Sequence, residues 1–187
     1  MVLDSPLEYI TIVDETGNVL GTEIKEKCHL GKGILHSAFL VMIFNAKNEL
    51  MLAKRSQRKL LWPDYWDGTV ASHYHPDVSQ EDRIKHRILF ETGARCNQIK
   101  FLFKFRYHAE YKDIGSENEI CDVFAARDIP DGHTSPNAME ISEHRFLHTS
   151  QIEDEIRSNS ESIAPWFRIA FDMYLKARAQ DGTNQIK

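Results

Sequence analysis

The sequence predicts an α/β fold in which mixed β-sheets are sandwiched by helices. Short apolar runs bounded by turn residues recur along most of the chain, a pattern typical of strands. One well-capped helical pattern interrupts these strands, and two further helical patterns close the chain. Strands that surround a capped helix and precede terminal helices indicate layers of sheet and helix around a shared core.

The strand predictions rest on apolar runs separated by polar or glycine-containing turns. Asn45 to Asn48 form a predicted hairpin turn between the third and fourth strands, and the glycine-containing segment 25–35 and the segment 56–65 are predicted loops. Residues 127–139 are rich in turn-forming types. The predicted strands are residues 9–13, 19–24, 36–44, 49–53, 69–73, 99–108, 117–126 and 143–147.

The clearest predicted helix covers residues 79–91. Ser79 can cap its first turn, with Asp82 three residues further on, and Gly93 is a suitable C-terminal stop. Side chains three or four residues apart share a helix face. Two such pairs lie here, namely Ile84 with Ile88 and Arg87 with Glu91.

Two more helices are predicted at the end of the chain, over residues 149–157 and 164–177. Pro165 suits the first turn of the second of these helices, where its missing N–H costs nothing. Residues 180–187 have the composition of a disordered tail. With 187 residues, the chain is predicted to form a single domain over 1–187.

The composition narrows the class of protein. A net charge of −5 with interspersed acids and bases argues against a nucleic-acid partner. The longest apolar run, residues 38–44, is far shorter than the roughly 20 residues of a membrane-spanning helix. Three widely spaced cysteines indicate neither a disulfide framework nor a thiolate metal site. We therefore expect a cytoplasmic protein with no membrane partner; the sequence does not indicate its oligomeric state.

Three histidines and two glutamates form a candidate metal site. His29 and His36 bracket a glycine-containing loop, and His73 ends a predicted strand. Glu117 and Glu119 are two residues apart on a predicted strand, so their carboxylates share one face, where a cation would relieve their repulsion. Such ligands suit Mg²⁺, Mn²⁺ or Zn²⁺. From the spacing alone, an exposed strand edge with ordinary surface histidines is favoured over a metal site.

Four basic residues form a second candidate group. Arg55 and Lys59 lie in and beside a predicted loop, and Lys25 and Arg87 lie elsewhere in the chain. If these side chains converge, they would suit a diphosphate group. From the residues alone, an ordinary set of solvated charges is favoured.

Several separated blocks carry motifs in a fixed order. They are His29 with His36-Ser37-Ala38-Phe39, Phe44-Asn45-Ala46-Lys47, Trp62-Pro63-Asp64-Tyr65-Trp66, Val70-Ala71-Ser72-His73, Phe105-Arg106-Tyr107 and the run 117–126 that begins Glu117-Asn118-Glu119. In order and spacing these blocks resemble the type 1 isopentenyl-diphosphate isomerases of the Nudix superfamily. The resemblance covers about residues 9–177 and implies the Nudix fold and a small-molecule diphosphate substrate.

The resemblance also implies roles for individual residues. Glu91 matches the glutamate that helps to hold a second Mg²⁺ on the diphosphate, Trp166 matches the aromatic residue that faces the developing carbocation, and Tyr107 matches the tyrosine beside the acid–base glutamate, Glu119. The implied ligands of one divalent cation, Mg²⁺ or Mn²⁺ with Zn²⁺ as an alternative, are His29, His36, His73, Glu117 and Glu119. The implied diphosphate contacts are Lys25, Arg55, Lys59 and Arg87.

The Nudix signature in this chain is degenerate. Within its last segment, residues 86–93, only Glu91 and Gly93 keep the expected type, and Ser72 and Val78 occupy the first two fixed positions. A typical Nudix hydrolase holds its Mg²⁺ ions with several helix glutamates, so ordinary nucleoside-diphosphate hydrolysis is weakly supported.

One departure from the family pattern bears on the reaction. The isomerases move a double bond with a cysteine on one side and a glutamate on the other, and the cysteine position is Ala71, whose methyl group has no proton to give. We therefore predict a metal-dependent enzyme that hydrolyses an isoprenoid or related diphosphate. Two alternatives stay open: an isomerase that uses Tyr74 or His75 as a substitute acid, and a non-catalytic protein that binds isoprenoid diphosphates.

Overall fold

A mixed, nine-stranded sheet forms the centre of the computed structural model, which describes residues 8–96, 98–129 and 134–184. The described part begins with two strands and ends with two helices, as the sequence predicts. In order they are β1 (Tyr9–Val13), β2 (Val19–Ile24), α1 (Lys25–Cys28), β3 (His36–Asn45), β4 (Leu50–Arg55), β5 (Trp66–Asp67), β6 (Val70–His73), α2 (Gln80–Thr92), β7 (Gln98–Tyr111), β8 (Gly115–Ile129), β9 (Ile141–Leu147), α3 (Thr149–Ser158) and α4 (Pro165–Asn184).

Strand β3 organises the sheet. It pairs antiparallel with β6, where Ala38 lies opposite His73, and parallel with β8, where His36 lies opposite Glu119. Strand β4 follows β3 through the predicted hairpin and pairs with β5 and β9, and β7 pairs with β8. Because parallel and antiparallel pairs meet in one sheet, the predicted mixed α/β architecture is confirmed.

Each face of the sheet packs against helices. Leu40, Cys121 and Val123 face one core cluster, to which α4 contributes Trp166 and Phe167. Neighbouring residues of the same strands point to the opposite face and form a second cluster with α2. The alternation thus assigns even-numbered positions of β3, such as His36, to the α4 side of the sheet.

The capping pattern of α2 explains where that helix begins and ends. The Ser79 hydroxyl accepts a hydrogen bond from the Asp82 N–H at 3.1 Å, which satisfies one of the free amides of the first turn. Gly93 ends the helix with φ 71°, a left-handed conformation that glycine adopts without penalty. Both features confirm the sequence prediction.

The structure extends several predicted elements. Strands β7 and β8 continue to a tight turn at which Tyr111 pairs with Gly115, because the ladder continues through polar residues that alternate across its two faces. A short helix, α1, lies in the segment 25–35 that was predicted as a loop. Helix α4 reaches Asn184 and so extends into the segment 180–187 that was predicted as a tail; residues 185–187 lie outside the described part. No described helix is both long and apolar enough to cross a membrane.

Candidate active site

Five buried side chains from four parts of the chain meet at the α4 side of the sheet. His29 follows α1, His36 begins β3 and His73 ends β6, while Glu117 and Glu119 share one face of β8. One ligand atom from each residue lies within 4.8 Å of all the others, and the three imidazole centres are 4.9–5.0 Å apart. These residues, hereafter the five-ligand cluster, are the set that the sequence singled out.

Backbone carbonyls orient two of the imidazoles. His29 Nδ1 donates to the Lys25 carbonyl at 2.6 Å, and His36 Nδ1 donates to the Ile34 carbonyl at 2.7 Å. Since a carbonyl only accepts hydrogen bonds, each Nδ1 carries a proton and each Nε2 faces the cluster. This outer hydrogen bond is the one that metal-ligating histidines usually make.

The nitrogen and oxygen atoms inside the cluster fit a divalent cation. His29 Nε2 lies 2.9 Å from Glu117 Oε2, and Glu119 Oε1 lies 3.0 Å from His73 Nε2 and 3.3 Å from His36 Nε2. The buried atoms His36 Nε2 and Glu117 Oε2 have no well-formed hydrogen bond with the described residues. Two buried carboxylates with inward-facing imidazoles form a donor set that a cation would satisfy.

The pKa directions in the cluster fit this interpretation. Burial and the neighbouring His36 and His29 keep the pKa of His73 well below its usual value, so this imidazole is neutral. Burial raises the pKa of Glu119, but the neighbouring His36 and the hydrogen bond from Tyr107 outweigh it and keep the carboxylate ionised. Burial also opposes charge on His29, yet contact with Glu117 raises its pKa, so a cation would displace a proton there.

An aromatic wall adjoins the cluster. The Tyr107 hydroxyl donates to Glu119 Oε2 at 2.6 Å, and the Tyr107 ring centre lies 5.9 Å from that of Trp166. The Trp62 ring packs edge-on against Trp166, with ring centres 5.1 Å apart, and at a tilt against Tyr111, with ring centres 4.9 Å apart. The structure therefore brings Tyr107, Glu119 and Trp166 together, as the resemblance implies.

A cationic cleft lies beside Trp166. Its lining includes Arg55, Lys59, Ala71 and Glu91. Arg87 pairs with two acids that line this cleft, since its Nη2 lies 2.7 Å from Glu91 Oε1 and 3.0 Å from Glu140 Oε1. Three of the four basic residues singled out by the sequence therefore converge.

Lys25 is the exception in the basic set. Its Nζ pairs with Glu8 Oε2 at 2.8 Å, and it is absent from the described residues that line the cationic cleft. Glu8 also pairs with Arg83. Burial raises the pKa of the Glu8 carboxyl, but Lys25, with a smaller effect from Arg83, outweighs it and lowers the pKa to about 2. The Lys25 side chain is thus neutralised by a carboxylate from the start of the chain, while its carbonyl holds His29.

Sequence reasoning missed two acids of the cationic cleft. Glu140 pairs with Lys59 and Arg87, which outweigh burial and lower its pKa to about 2. Asp67 accepts hydrogen bonds from Trp166 Nε1 at 2.9 Å and Arg55 Nη1 at 3.3 Å. Asp67 directly follows the Trp62–Trp66 motif, which was a usable signal, whereas Glu140 lies in a turn-rich segment with no motif.

Neither of the two candidate substitute acids, Tyr74 and His75, lines the cationic cleft that contains Ala71. Tyr74 packs on Phe39 in the α2-side core, and its hydroxyl donates to Asp122 Oδ2 at 3.0 Å. His75 lines a separate cleft together with Tyr74 and Asp122. Because side chains alternate along β6, Tyr74 points away from the face that carries Ala71 and His73.

Cys121 is the one cysteine on the same strand and face as Glu119. It is almost fully buried. Burial, and to a smaller extent the charge of Glu119, raise the pKa of its thiol well above the usual value. The thiol is therefore protonated, and it lies on the glutamate's strand rather than at the position of Ala71.

Comparison with known families agrees with the fold and the site. Together these define an enzyme of the Nudix superfamily, and a family model described as NUDIX domain matches residues 34–167. The chain belongs to the type 1 isopentenyl-diphosphate Delta-isomerase family within that superfamily.

Two curated relatives illustrate the similarity. Isopentenyl-diphosphate Delta-isomerase 1 of Photorhabdus laumondii subsp. laumondii is 37% identical over 163 residues, which cover 87% of this chain and 92% of the relative. Isopentenyl-diphosphate Delta-isomerase of Paenarthrobacter aurescens is 30% identical over 173 residues, which cover 92% and 93% of the two chains.

Solved structures support the fold. DR0079 from Deinococcus radiodurans superposes with a TM-score of 0.65 at 17% identity, covering 81% of this chain and 90% of that chain. The MutT protein of Methanosarcina mazei Go1 gives a TM-score of 0.60 at 18% identity, covering 77% and 95%. The predicted Nudix fold is therefore confirmed.

Proposed function

We propose that the protein is a metal-dependent enzyme that hydrolyses an isoprenoid or related diphosphate. The observation that carries this proposal is Ala71, which lines the cationic cleft at the position where the resemblance implies a proton-donating cysteine. A methyl group cannot protonate a double bond, whereas attack of water on phosphorus needs no proton donor at that position.

The cationic cleft supports a diphosphate as the head group. Arg55 and Lys59 line it, and Arg87 lies behind Glu91 and Glu140. Guanidinium and ammonium groups that converge in a sheltered cleft bind phosphoryl oxygens through charge-assisted hydrogen bonds. Glu91 and Glu140 pair with these cations in the unliganded cleft, and an anionic ligand bound with a divalent cation would replace part of that pairing.

The aromatic wall supports a hydrocarbon group next to the diphosphate. The Arg55 guanidinium carbon lies 5.0 Å from the centre of the Trp166 ring, so cationic and aromatic surfaces adjoin each other. Trp62, Tyr107 and Tyr111 continue this wall. A ligand with a charged head and an apolar tail matches both surfaces.

Each group of residues in the site has a separate role in the proposed hydrolysis. A divalent cation held by the five-ligand cluster supplies charge neutralisation when it is bound. Arg55 and Lys59 bind the diphosphate oxygens and offset the charge of the leaving phosphate. Glu91 and Glu119 orient the attacking water, and Glu91 accepts its proton. The water oxygen bonds to the terminal phosphorus, the bond to the bridging oxygen breaks, and orthophosphate and a monophosphate leave.

Two observations favour a second candidate function, isomerisation. The hydrogen bond from Tyr107 to Glu119 keeps the glutamate half of the isomerase pair in place. Two curated relatives at 37% and 30% identity carry the isomerase name. This candidate requires a proton source for the Ala71 side of the substrate.

A product screen separates these functions. We would incubate the full chain with isopentenyl, dimethylallyl, geranyl and nucleoside diphosphates in Mg²⁺ or Mn²⁺, and follow ³¹P signals and the hydrocarbon products. Hydrolysis predicts metal-dependent phosphate release that Glu91→Gln abolishes and Glu81→Gln, on the exposed part of the same helix, leaves intact. Dimethylallyl diphosphate without phosphate release would overturn the proposal in favour of isomerisation. Ligand-dependent thermal stabilisation without turnover would overturn it in favour of binding alone.

A further inference from the structure

Asp67 joins the cationic cleft to the aromatic wall. It ends β5, its side chain is 5% exposed, and it lines the cleft together with Arg55 and Ala71. The Trp166 Nε1–H donates to both carboxylate oxygens, at 2.9 and 3.1 Å, and Arg55 Nη1 donates to Oδ2 at 3.3 Å. The Asp67 carboxylate thus contacts both Arg55 of the cationic cleft and Trp166 of the aromatic wall.

The Arg55 guanidinium is held on several sides. Its Nε donates to the Trp62 carbonyl and its Nη2 to the Leu61 carbonyl, both at 2.9 Å, while Nη1 faces Asp67. Its guanidinium carbon stacks 5.0 Å from the Trp166 ring centre. Asp67 is therefore the shared partner of two side chains that also contact each other.

A buried carboxylate is an expensive group to place here. Burial raises the pKa of Asp67 to about 6, against the opposing effects of Arg55, the Trp166 indole and the Gly68 N–H. A neutral acceptor would also receive the Trp166 N–H, so satisfying the indole alone does not require a charge. The negative charge of Asp67 is explained if it holds the Arg55 guanidinium and the Trp166 ring in a fixed arrangement.

We propose that Asp67 is a positioning residue that couples the two halves of the binding cleft by fixing the Trp166 ring against the Arg55 guanidinium. Movement of Arg55 toward a bound anion is transmitted through Asp67 to the indole, so the anionic and hydrocarbon parts of a ligand are recognised together. This inference rests on the proposed function of the cleft as a diphosphate site.

Several titratable groups lie around Asp67, and their charges influence its protonation. Arg55 on β4 contacts it directly, and Cys121 on β8 interacts with it electrostatically. Lys59, Glu91 and Glu140 line the same cleft from other segments. A readout at the Trp166 indole is therefore needed, because that N–H is bonded to Asp67 itself.

The test follows the indole N–H resonance of Trp166 in the ¹⁵N-labelled full chain. The chain has three tryptophans, so Trp166→Phe assigns the signal, and Trp66, whose ring packs on Arg145, is the internal control. We expect the Trp166 signal to shift with a midpoint near pH 6 and to shift again on addition of inorganic pyrophosphate. In Asp67→Asn both shifts should shrink at least two-fold, while Asp113→Asn, in the exposed β7–β8 turn, should behave as the native chain does.

A Trp166 signal that follows pH and pyrophosphate equally in Asp67→Asn and the native chain would overturn the inference. If Asp67→Asn does not fold, the titrations of the native chain test the inference. A native Trp166 signal that responds to neither pH nor pyrophosphate would also overturn it. None of these readings requires turnover. Coupling without phosphate release would refute the proposed hydrolysis alone, and phosphate release without coupling would refute the role of Asp67 alone.

Discussion

The Tyr107 hydroxyl donates a 2.6 Å hydrogen bond to Oε2 of Glu119, while Oε1 of the same carboxylate faces His36 and His73. The two oxygens therefore have separate partners, one in the five-ligand cluster and one in the aromatic wall. Both groups are buried, so no bulk water replaces either partner. The hydrogen bond fixes the carboxylate plane that the cluster uses.

Loss of the Tyr107 hydroxyl should therefore destabilise the protein. In Tyr107→Phe, Glu119 Oε2 keeps its burial and loses its donor, which we expect to cost about 1–3 kcal/mol in the free energy of unfolding. Urea unfolding of the native and variant chains measures this difference. Tyr9→Phe, at an exposed position, is the control and should change it by less than about 0.5 kcal/mol. Equal effects of the two substitutions would contradict the assigned hydrogen bond.

The five-ligand cluster should bind a divalent cation and stabilise the fold through it. We expect Mn²⁺ or Mg²⁺ to raise the melting temperature of chelator-treated protein, because an ion that binds only the native state shifts the folding equilibrium. His36→Ala should abolish this rise. His108→Ala, at an exposed histidine bonded to the Lys32 carbonyl, should preserve it. A rise that survives His36→Ala would show that the cation binds elsewhere.

The pairing of Glu140 with Lys59 and Arg87 should make stability depend on pH in the acid range. The folded-state pKa of about 2 lies below the usual 4.5, so the pairing stabilises the native state above about pH 4.5 and is lost as pH falls toward 2. Glu140→Gln should therefore cost about 2–3 kcal/mol at pH 7, and less at each step down to pH 3. Urea unfolding across this range measures the difference.

The control for the acid-range experiment is Glu143→Gln. Glu143 is exposed on β9, close in sequence to Glu140. We expect this substitution to change the free energy of unfolding by less than about 0.5 kcal/mol at every pH. A Glu140→Gln effect that stays constant from pH 7 to pH 3 would show that the lost stability does not come from ionised Glu140.

Local rules in the sequence anticipated much of the fold and part of the site. Strand alternation correctly placed Glu117 and Glu119 on one face, and the capping residues of α2 fixed its ends. The parallel register that sets His36 opposite Glu119 joins strands 83 residues apart, and no local pattern encodes it. Only the resemblance to a family supplied that long-range juxtaposition.

The remaining site residues were missed for a similar physical reason. Glu140 meets Lys59 across 81 positions of sequence, and Asp67 meets Trp166 across 99. Lys25 pairs with Glu8, which lies 17 residues earlier in a segment with no motif. Pairings of single charges over such distances leave no periodic signal.

Ala71 gives the sharpest test of how far this pocket differs from that of an isomerase. Ala71 lies two residues before His73 on β6, so its methyl group shares the face of the five-ligand cluster. In Ala71→Cys a thiol would stand in the cationic cleft, at the position where the resemblance implies the proton-donating cysteine. Because a positioned acid contributes about 10²–10⁴-fold to such reactions, we expect at least a 100-fold rise in conversion of isopentenyl to dimethylallyl diphosphate.

The matched control is Ala71→Ser, which adds a group of similar size. Its hydroxyl is far less acidic than a thiol, so it should raise isomerisation by less than about ten-fold. Both variants need to keep the native melting temperature and its Mn²⁺-dependent rise, so that lost activity is not mistaken for lost structure. A folded, metal-responsive Ala71→Cys protein that forms no dimethylallyl diphosphate would show that residues beyond position 71 block isomerisation. Asp67 and Glu140, which line the same cleft, would then be the first positions to exchange.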